Sequence, residues 1–231
     1  MTKWNCLELQ EFLSSNPKMR LSQFSDESII IEGEYDVHAK MDGYKLIQCC
    51  YQLKIIFPKE YPKAIPTVIE ITNIIPKSSK YHKYNDGSFC LGSDIKLKLI
   101  LFESATISNF FKDIVDPYLY SISYKLRYDE YPNGDLDHGE EGLIDDYEQV
   151  FRVSGKVSVL RVLHALGKRK RVANKLPCGC GCGDRLGKCE YRFSIEKWRH
   201  LDRRRWFRNH LATSFTPIKK TKKKKNKIKS P

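Results

Sequence analysis

The residue types best suited to chemistry stand in one polar, irregular stretch of the chain, PKSSKYHKYNDGSFCLG. It holds His82, Asn85 and Cys90, with the turn-forming pair Asp86-Gly87 shortly before the cysteine. A cysteine can act as a nucleophile, a histidine can order the loop, and an asparagine amide can donate to an oxyanion. No cationic residue stands within four positions before Cys90, which favours acyl transfer between thiols over peptide hydrolysis. The alternative interpretation is a small buried cysteine in a strand.

A second group of candidate residues lies near the C-terminus, in LPCGCGCGDRLGKCEYR. Thiolates at this density repel one another unless a cation neutralises them, and zinc takes four such ligands at about 2.3 Å. We therefore expect a structural zinc site that uses Cys178, Cys180 and Cys189, with Cys182, Glu190 or His200 as the fourth ligand. No ligand set with an open position is evident, which argues against a catalytic zinc. The alternative is a metal-free, redox-active or adventitious cluster.

Charge and hydropathy limit what else the chain can be. Of its 231 residues 41% are hydrophobic, which excludes wholesale disorder. No apolar run approaches the roughly 18 residues that span a bilayer, and the start has no apolar signal core. We therefore expect a cytoplasmic protein without a membrane partner. The net charge of +13 is concentrated towards the C-terminus, and the last fourteen residues contain eight lysines.

The elements that must position these residues follow from hydrophobic periodicity. Leu9, Phe12 and Leu13 predict an N-terminal helix, and strict alternation after residue 28 predicts a long strand. Asp42-Gly43 predicts a hairpin turn into a second strand, and Thr67 to Ile71 predicts a third. After the cysteine loop come helices, beginning with the stripe Ile107, Phe110, Phe111 and Ile114. This order predicts an α+β fold with an antiparallel β-meander.

These motifs, taken in order, resemble a ubiquitin-conjugating (UBC) domain from about residue 4 to 125. The resemblance is carried by the N-terminal helix, the meander, the proline-rich FPKEYPKAIPTV, and DGSFCLG around the cysteine. Eukaryotic members have a contiguous His-Pro-Asn further from the cysteine, where this chain has His82-Lys-Tyr-Asn85. Together with PNGDLDHGEEGLIDDYEQVF and the cysteine-rich extension, this spacing resembles bacterial relatives found with anti-phage defence systems.

The resemblance implies both a mechanism and partners. Cys90 would carry a thioester, His82 would support the loop, and the Asn85 amide would stabilise the oxyanion. The acyl group would be the C-terminal carboxyl of a ubiquitin-like protein or of a cyclic-oligonucleotide synthase, and the acceptor a lysine amine. The sequence has no Walker-type or dinucleotide-type glycine motif, so a separate activating enzyme or a pre-activated partner is implied.

Three units are predicted: a UBC-like domain (1–152), a helical zinc module (153–215), and a disordered lysine-rich tail (216–231). Two other functions stay open. The first is a catalytically silent UBC-like binding module, in which Cys90 is structural and the basic region recruits a partner. The second is a nucleic-acid adaptor, which we do not favour, since the helix EKWRHLDRRRWFRNHL is expected to pack Trp198 and Trp206 against the domain.

Overall fold

Four strands form the sheet that organises the first half of the chain. The computed structural model describes residues 6–132, 134 and 139–216. Helix α1 (Cys6–Ser15) leads into β1 (Met19–Phe24), β2 (Ser28–Ala39), β3 (Ile47–Pro58) and β4 (Thr67–Glu70). They pair antiparallel in the order β1-β2-β3-β4, so every strand lies beside its neighbour in sequence. The predicted α+β class with an antiparallel meander is confirmed.

The alternating pattern of β2 and β3 puts one face of the sheet into the core. Ile29 pairs with Phe57 and Ile31 with Ile55, and all four side chains are at most 1% exposed. Burying each such side chain contributes roughly 1.5–3 kcal/mol. The predicted turn at Asp42-Gly43 is also present, with Gly43 at a φ of 80°.

Helices α2 (Asp94–Glu103), α3 (Ile107–Phe110) and α4 (Asp116–Tyr128) follow the sheet. A π-helical turn over Phe111–Val115 joins α3 to α4, so the helix continues through Asp116-Pro117. The π turn changes the hydrogen-bond pattern just before the proline, which has no N–H to donate. Apolar side chains of α1, the sheet and these helices form a first hydrophobic cluster.

A second hydrophobic cluster is built by the C-terminal helices. These are α5 (Gly139–Phe151), α6 (Lys156–Leu166), α7 (Lys170–Ala173), α8 (Arg192–Trp198) and α9 (Arg204–Ser214). Trp198 and Trp206 pack in this cluster, as predicted. The prediction of a single Arg/Trp-rich helix is wrong, because the chain bends at Asp202 between α8 and α9. The Asp202 carboxylate accepts a hydrogen bond of 2.6 Å from the backbone N–H of Arg203.

The hydrophobic contacts group α5 with the later helices, since Tyr147 and Phe151 belong to the second cluster. The division into units at residue 152 stays a prediction. The predicted lysine-rich tail lies outside the described residues, except for Thr216. Within the part of the chain that the structure covers, none of the helices is both long enough and apolar enough to cross a membrane.

Helix α2 is shared by the two clusters. Ile95 is fully buried in the second cluster, whereas Leu97 and Leu101 are buried in the first. Its apolar residues therefore point in two directions, and the sequence shows no single apolar stripe that would have predicted it. Strand β1 also escapes prediction, because only Met19 of its six residues is buried.

Candidate active site and metal centre

Cys90 ends a short hairpin, which we call the cysteine hairpin (residues 82–90). Lys83 lies opposite Phe89, and the backbone N–H of Cys90 donates to the carbonyl of His82 at 2.7 Å. Asp86 shapes the turn by accepting hydrogen bonds from the N–H (2.9 Å) and the hydroxyl (2.6 Å) of Ser88. The stretch that lacks periodicity in sequence therefore has a defined backbone, fixed by turn chemistry.

The cysteine hairpin is docked on the sheet through its second strand. The N–H of Phe89 donates to the carbonyl of Val68 at 2.9 Å, and Ser88 lies opposite Ile69 of β4. The Phe89 ring stacks on Tyr118 of α4 with 4.4 Å between centroids. The Tyr118 hydroxyl donates in turn to the carbonyl of His82 at 3.1 Å. Backbone and aromatic contacts together fix the segment that ends at Cys90.

A buried ion pair lies under the first strand of the hairpin. The ammonium of Lys83 is 2.8 Å from the carboxylate of Glu70, and both side chains are fully buried. Lys83 also donates to the carbonyl of Ile75 at 3.0 Å, and Glu70 accepts from the hydroxyl of Thr72. Burial alone would raise the pKa of Glu70, but the hydrogen bonds from Lys83 and Thr72 lower it. Both charges are thus paired and hydrogen-bonded.

The three predicted site residues occupy different places on the hairpin. Cys90 is partly exposed, and His82 lies directly opposite it with its ring edge against Tyr131 at 5.6 Å between centroids. Asn85 is exposed at the tip of the turn. The structure therefore brings His82 and Cys90 together through the backbone, while no contact within the described ranges joins Asn85 to the cysteine.

Tyr84 is a site residue that the sequence analysis missed. It lies on the first strand of the cysteine hairpin, and 54% of the residue is exposed. Partial burial and the nearby Cys90 thiol raise the pKa of Tyr84, so the phenol stays neutral. Only the hairpin register reveals this proximity, and that register cannot be read from a stretch without periodicity.

The four C-terminal cysteines converge on one point. The sulfurs of Cys178, Cys180, Cys182 and Cys189 all lie within 4.8 Å of one another. Cys180 is 3.2 Å from Cys178 and 3.6 Å from Cys189. Tetrahedral zinc with bonds of about 2.3 Å separates its sulfurs by about 3.8 Å, so the group has the size of a metal site.

The fourth donor in this group is Cys182, and neither Glu190 nor His200 belongs to it. The imidazole of His200 instead stacks on Phe102, with 6.3 Å between centroids and 18° between planes. The structure thus supports one of the three alternatives left open by the spacing.

The loop over residues 178–189, which we call the metal loop, packs directly on helix α6. The N–H of Cys178 donates to the carbonyl of Asp184 at 2.8 Å, which closes the loop. A Cβ at Gly179 would come within 2.6 Å of Val162 Cγ2, so the backbone needs glycine there. Burial raises the pKa of Cys178; burial opposes ionisation of Cys180 as well, but hydrogen bonds from Cys178 and the other thiols lower its pKa. Such a cluster can hold a metal ion.

Comparisons with models of protein families, with curated proteins and with solved structures find no match. The family assignment therefore stays a prediction that depends on the motifs quoted above.

The buried ion pair predicts a large stability effect. We expect Lys83→Met to lower the free energy of unfolding by about 3–5 kcal/mol, because the Glu70 carboxylate is left buried without its cation. Denaturant unfolding monitored by circular dichroism measures this change. The matched control is Lys59→Met, which removes the exposed Lys59–Glu27 pair of 2.7 Å and should leave the midpoint nearly unchanged. Equal effects of the two variants would contradict the conclusion that Lys83 and Glu70 form a buried ion pair that the fold requires.

Proposed function

We propose that this protein is a ubiquitin-conjugating-enzyme-like acyl carrier with its thioester on Cys90. The observation that carries the proposal is the partly exposed Cys90 at the end of a fixed hairpin, in a chain that runs helix, four-stranded meander, cysteine hairpin, helices. The acyl group would come from the C-terminal carboxyl of a ubiquitin-like protein or of a cyclic-oligonucleotide synthase. The proposed setting is bacterial anti-phage defence in the cytoplasm.

The reaction consists of two acyl transfers. In the first, the Cys90 sulfur attacks the activated carbonyl carbon, the C–S bond forms, the activating group leaves, and the thiol proton passes to solvent. In the second, a lysine amine attacks the thioester, the tetrahedral intermediate collapses to an amide, the Cys90 thiolate leaves, and the proton lost by the amine passes to solvent. A separate activating enzyme or a pre-activated partner supplies the carboxyl.

Donors around Cys90 would meet the oxyanion of each tetrahedral intermediate. The Tyr84 side chain lies near the sulfur, and backbone N–H groups of the loop are close in sequence. The Asn85 amide would have to move towards the carbonyl from the tip of the hairpin. One such donor contributes about 3 kcal/mol to lowering a barrier of this kind.

We further propose that the cysteine cluster holds one structural zinc ion. The donor set supports this, because four sulfurs within 4.8 Å of one another fill a tetrahedral shell and leave no position for substrate. Bound there, zinc would crosslink the two ends of the metal loop beside α6.

The alternative is a catalytically silent UBC-like binding module. The exposed position of Asn85, with no described contact to Cys90, favours this alternative, since the family mechanism uses that amide. The two functions differ in whether Cys90 accepts an acyl group.

Thioester formation can be tested without the natural partner. The probe is a short peptide with a C-terminal glycine thioester of 2-mercaptoethanesulfonate, which exchanges onto a cysteine with release of the small thiol. We expect Cys90 to be acylated faster than the exposed Cys50 by about tenfold or more, because donors near the reacting carbonyl lower the barrier. Intact mass before and after dithiothreitol, with peptide mapping, identifies the adduct.

Two variants complete this experiment. Cys90→Ala should lose the fast, reductant-sensitive adduct, and Cys50→Ala should keep it. If Cys90 reacts no faster than Cys50, the acyl-carrier proposal fails and the binding module stands.

Zinc binding predicts a defined stoichiometry. Native mass spectrometry of the purified protein should show one zinc ion per chain, and Cys182→Ala should lose it, because three sulfurs bind zinc more weakly than four. Cys50→Ala should retain the ion. A chelator should also lower the thermal midpoint of the wild type, since metal binding stabilises the folded loop. A metal-free protein in all preparations would contradict the proposal.

A further inference from the structure

Helices α2 and α9 meet through two side-chain pairs: Lys98 of α2 lies against Trp206 of α9, and Asp94 of α2 lies near His210 of α9. The two pairs are one helical turn apart on both helices. Residues four apart share a face of a helix, so the two contacts form one continuous junction. This junction joins the helix that follows Cys90 to the last described helix of the chain.

Lys98 makes the most extensive contacts of this junction. Its residue is 6% exposed, and its ammonium is 2.8 Å from the carboxylate of Asp202 and 4.8 Å from the ring centroid of Trp206. It also donates to the backbone carbonyl of Lys63, in the loop after β3. A buried ammonium requires such partners, and here they come from the loop after β3, from the bend before α9 and from α9 itself. One side chain therefore fixes three segments relative to each other.

His210 makes the second contact one turn further along. Its Nε2 is 2.8 Å from the hydroxyl of the fully buried Tyr147, and its Nδ1 is 3.6 Å from the carboxylate of Asp94. The imidazole stacks on Trp206 at 4.7 Å between centroids and 8° between planes. The C-terminal helices thus place an imidazole beside the first residue of α2, and the hydroxyl of Ser214 lies 3.3 Å from the same Nδ1.

The location of this junction gives it a consequence for Cys90. Helix α2 begins at Asp94, four residues after the cysteine, and Ile95 is buried in the second cluster. Apolar burial is non-directional, whereas hydrogen bonds and a buried ion pair specify how a helix is rotated and shifted along its axis. The segment on the C-terminal side of Cys90 is therefore oriented by α5 and α9.

We propose that Lys98 and His210 are positioning residues of the Cys90 site. The predicted zinc module (153–215) then contributes to acyl transfer at Cys90. This inference rests on the proposed function for its catalytic readout. It assigns to the module a role in thiol reactivity in addition to metal binding.

The test compares two lysines of α2 in the full-length protein. Lys98→Met removes the junction cation, and Lys96→Met is the matched control, since Lys96 forms a more exposed pair with Asp146 at 3.2 Å. We expect Lys98→Met to slow acylation of Cys90 by the peptide thioester about fivefold, a typical coupling between sites. Hydrogen exchange at the amides of residues 95–97 should accelerate in the same variant. Lys98→Arg, which keeps the charge and the contact with the indole, should restore most of the rate.

The outcomes separate positioning from stability alone. Unchanged acylation of Cys90 in a folded Lys98→Met protein, or an equal loss in Lys96→Met, would overturn the proposal. If Lys98→Met does not fold, Tyr147→Phe removes one hydroxyl from His210, keeps the ring, and should show the same slow acylation. If even the wild type is not acylated preferentially at Cys90, the acyl-carrier function fails. Alkylation of Cys90 by iodoacetamide and exchange at residues 95–97 then decide the positioning role, and both must change in Lys98→Met.

Discussion

The buried pair of Lys83 and Glu70 is the constraint on which the geometry around Cys90 depends. Both charges are fully removed from water, so each must keep its partner and its additional hydrogen bonds. Lys83 lies in the first strand of the cysteine hairpin, and Glu70 ends the last strand of the sheet. The hairpin therefore cannot leave the sheet without separating two buried charges, and the thiol keeps a fixed place.

The two sides of Cys90 are held by different means. Before the cysteine, the ion pair and the Phe89–Tyr118 stack attach the chain to the sheet and α4. After it, α2 is enclosed by two hydrophobic clusters and meets α9 through Lys98. If Cys90 accepts an acyl group as proposed, this arrangement favours the reaction, because a rigid surround lowers the entropy lost at the transition state while the sulfur stays accessible.

Much of the fold could be predicted from sequence, and the exceptions share a physical cause. In strands β2 and β3 apolar and polar residues alternate, because one face of the sheet is exposed to solvent, and the buried residues agree with the prediction. Helix α2 was not predicted, because it is buried on two sides and lacks a single apolar stripe. For the site, residue type and spacing were enough to predict the cysteine cluster, although they left its fourth ligand open, and the role of Cys90 stays a prediction. Tyr84 and Lys98 were not found, because their positions depend on hairpin register and helix packing, which local sequence does not encode.

The enclosure of α2 also has a consequence for biosynthesis. The ribosome releases a chain from its N-terminus, and the early part of a protein begins to fold while the rest is being made. Here Ile95 of α2 is buried in the same hydrophobic cluster as Phe207 and Phe215. The nascent chain therefore exposes an apolar flank of α2 until more than a hundred further residues have been translated. Burial of this side of α2 thus depends on residues that are translated long after Cys90.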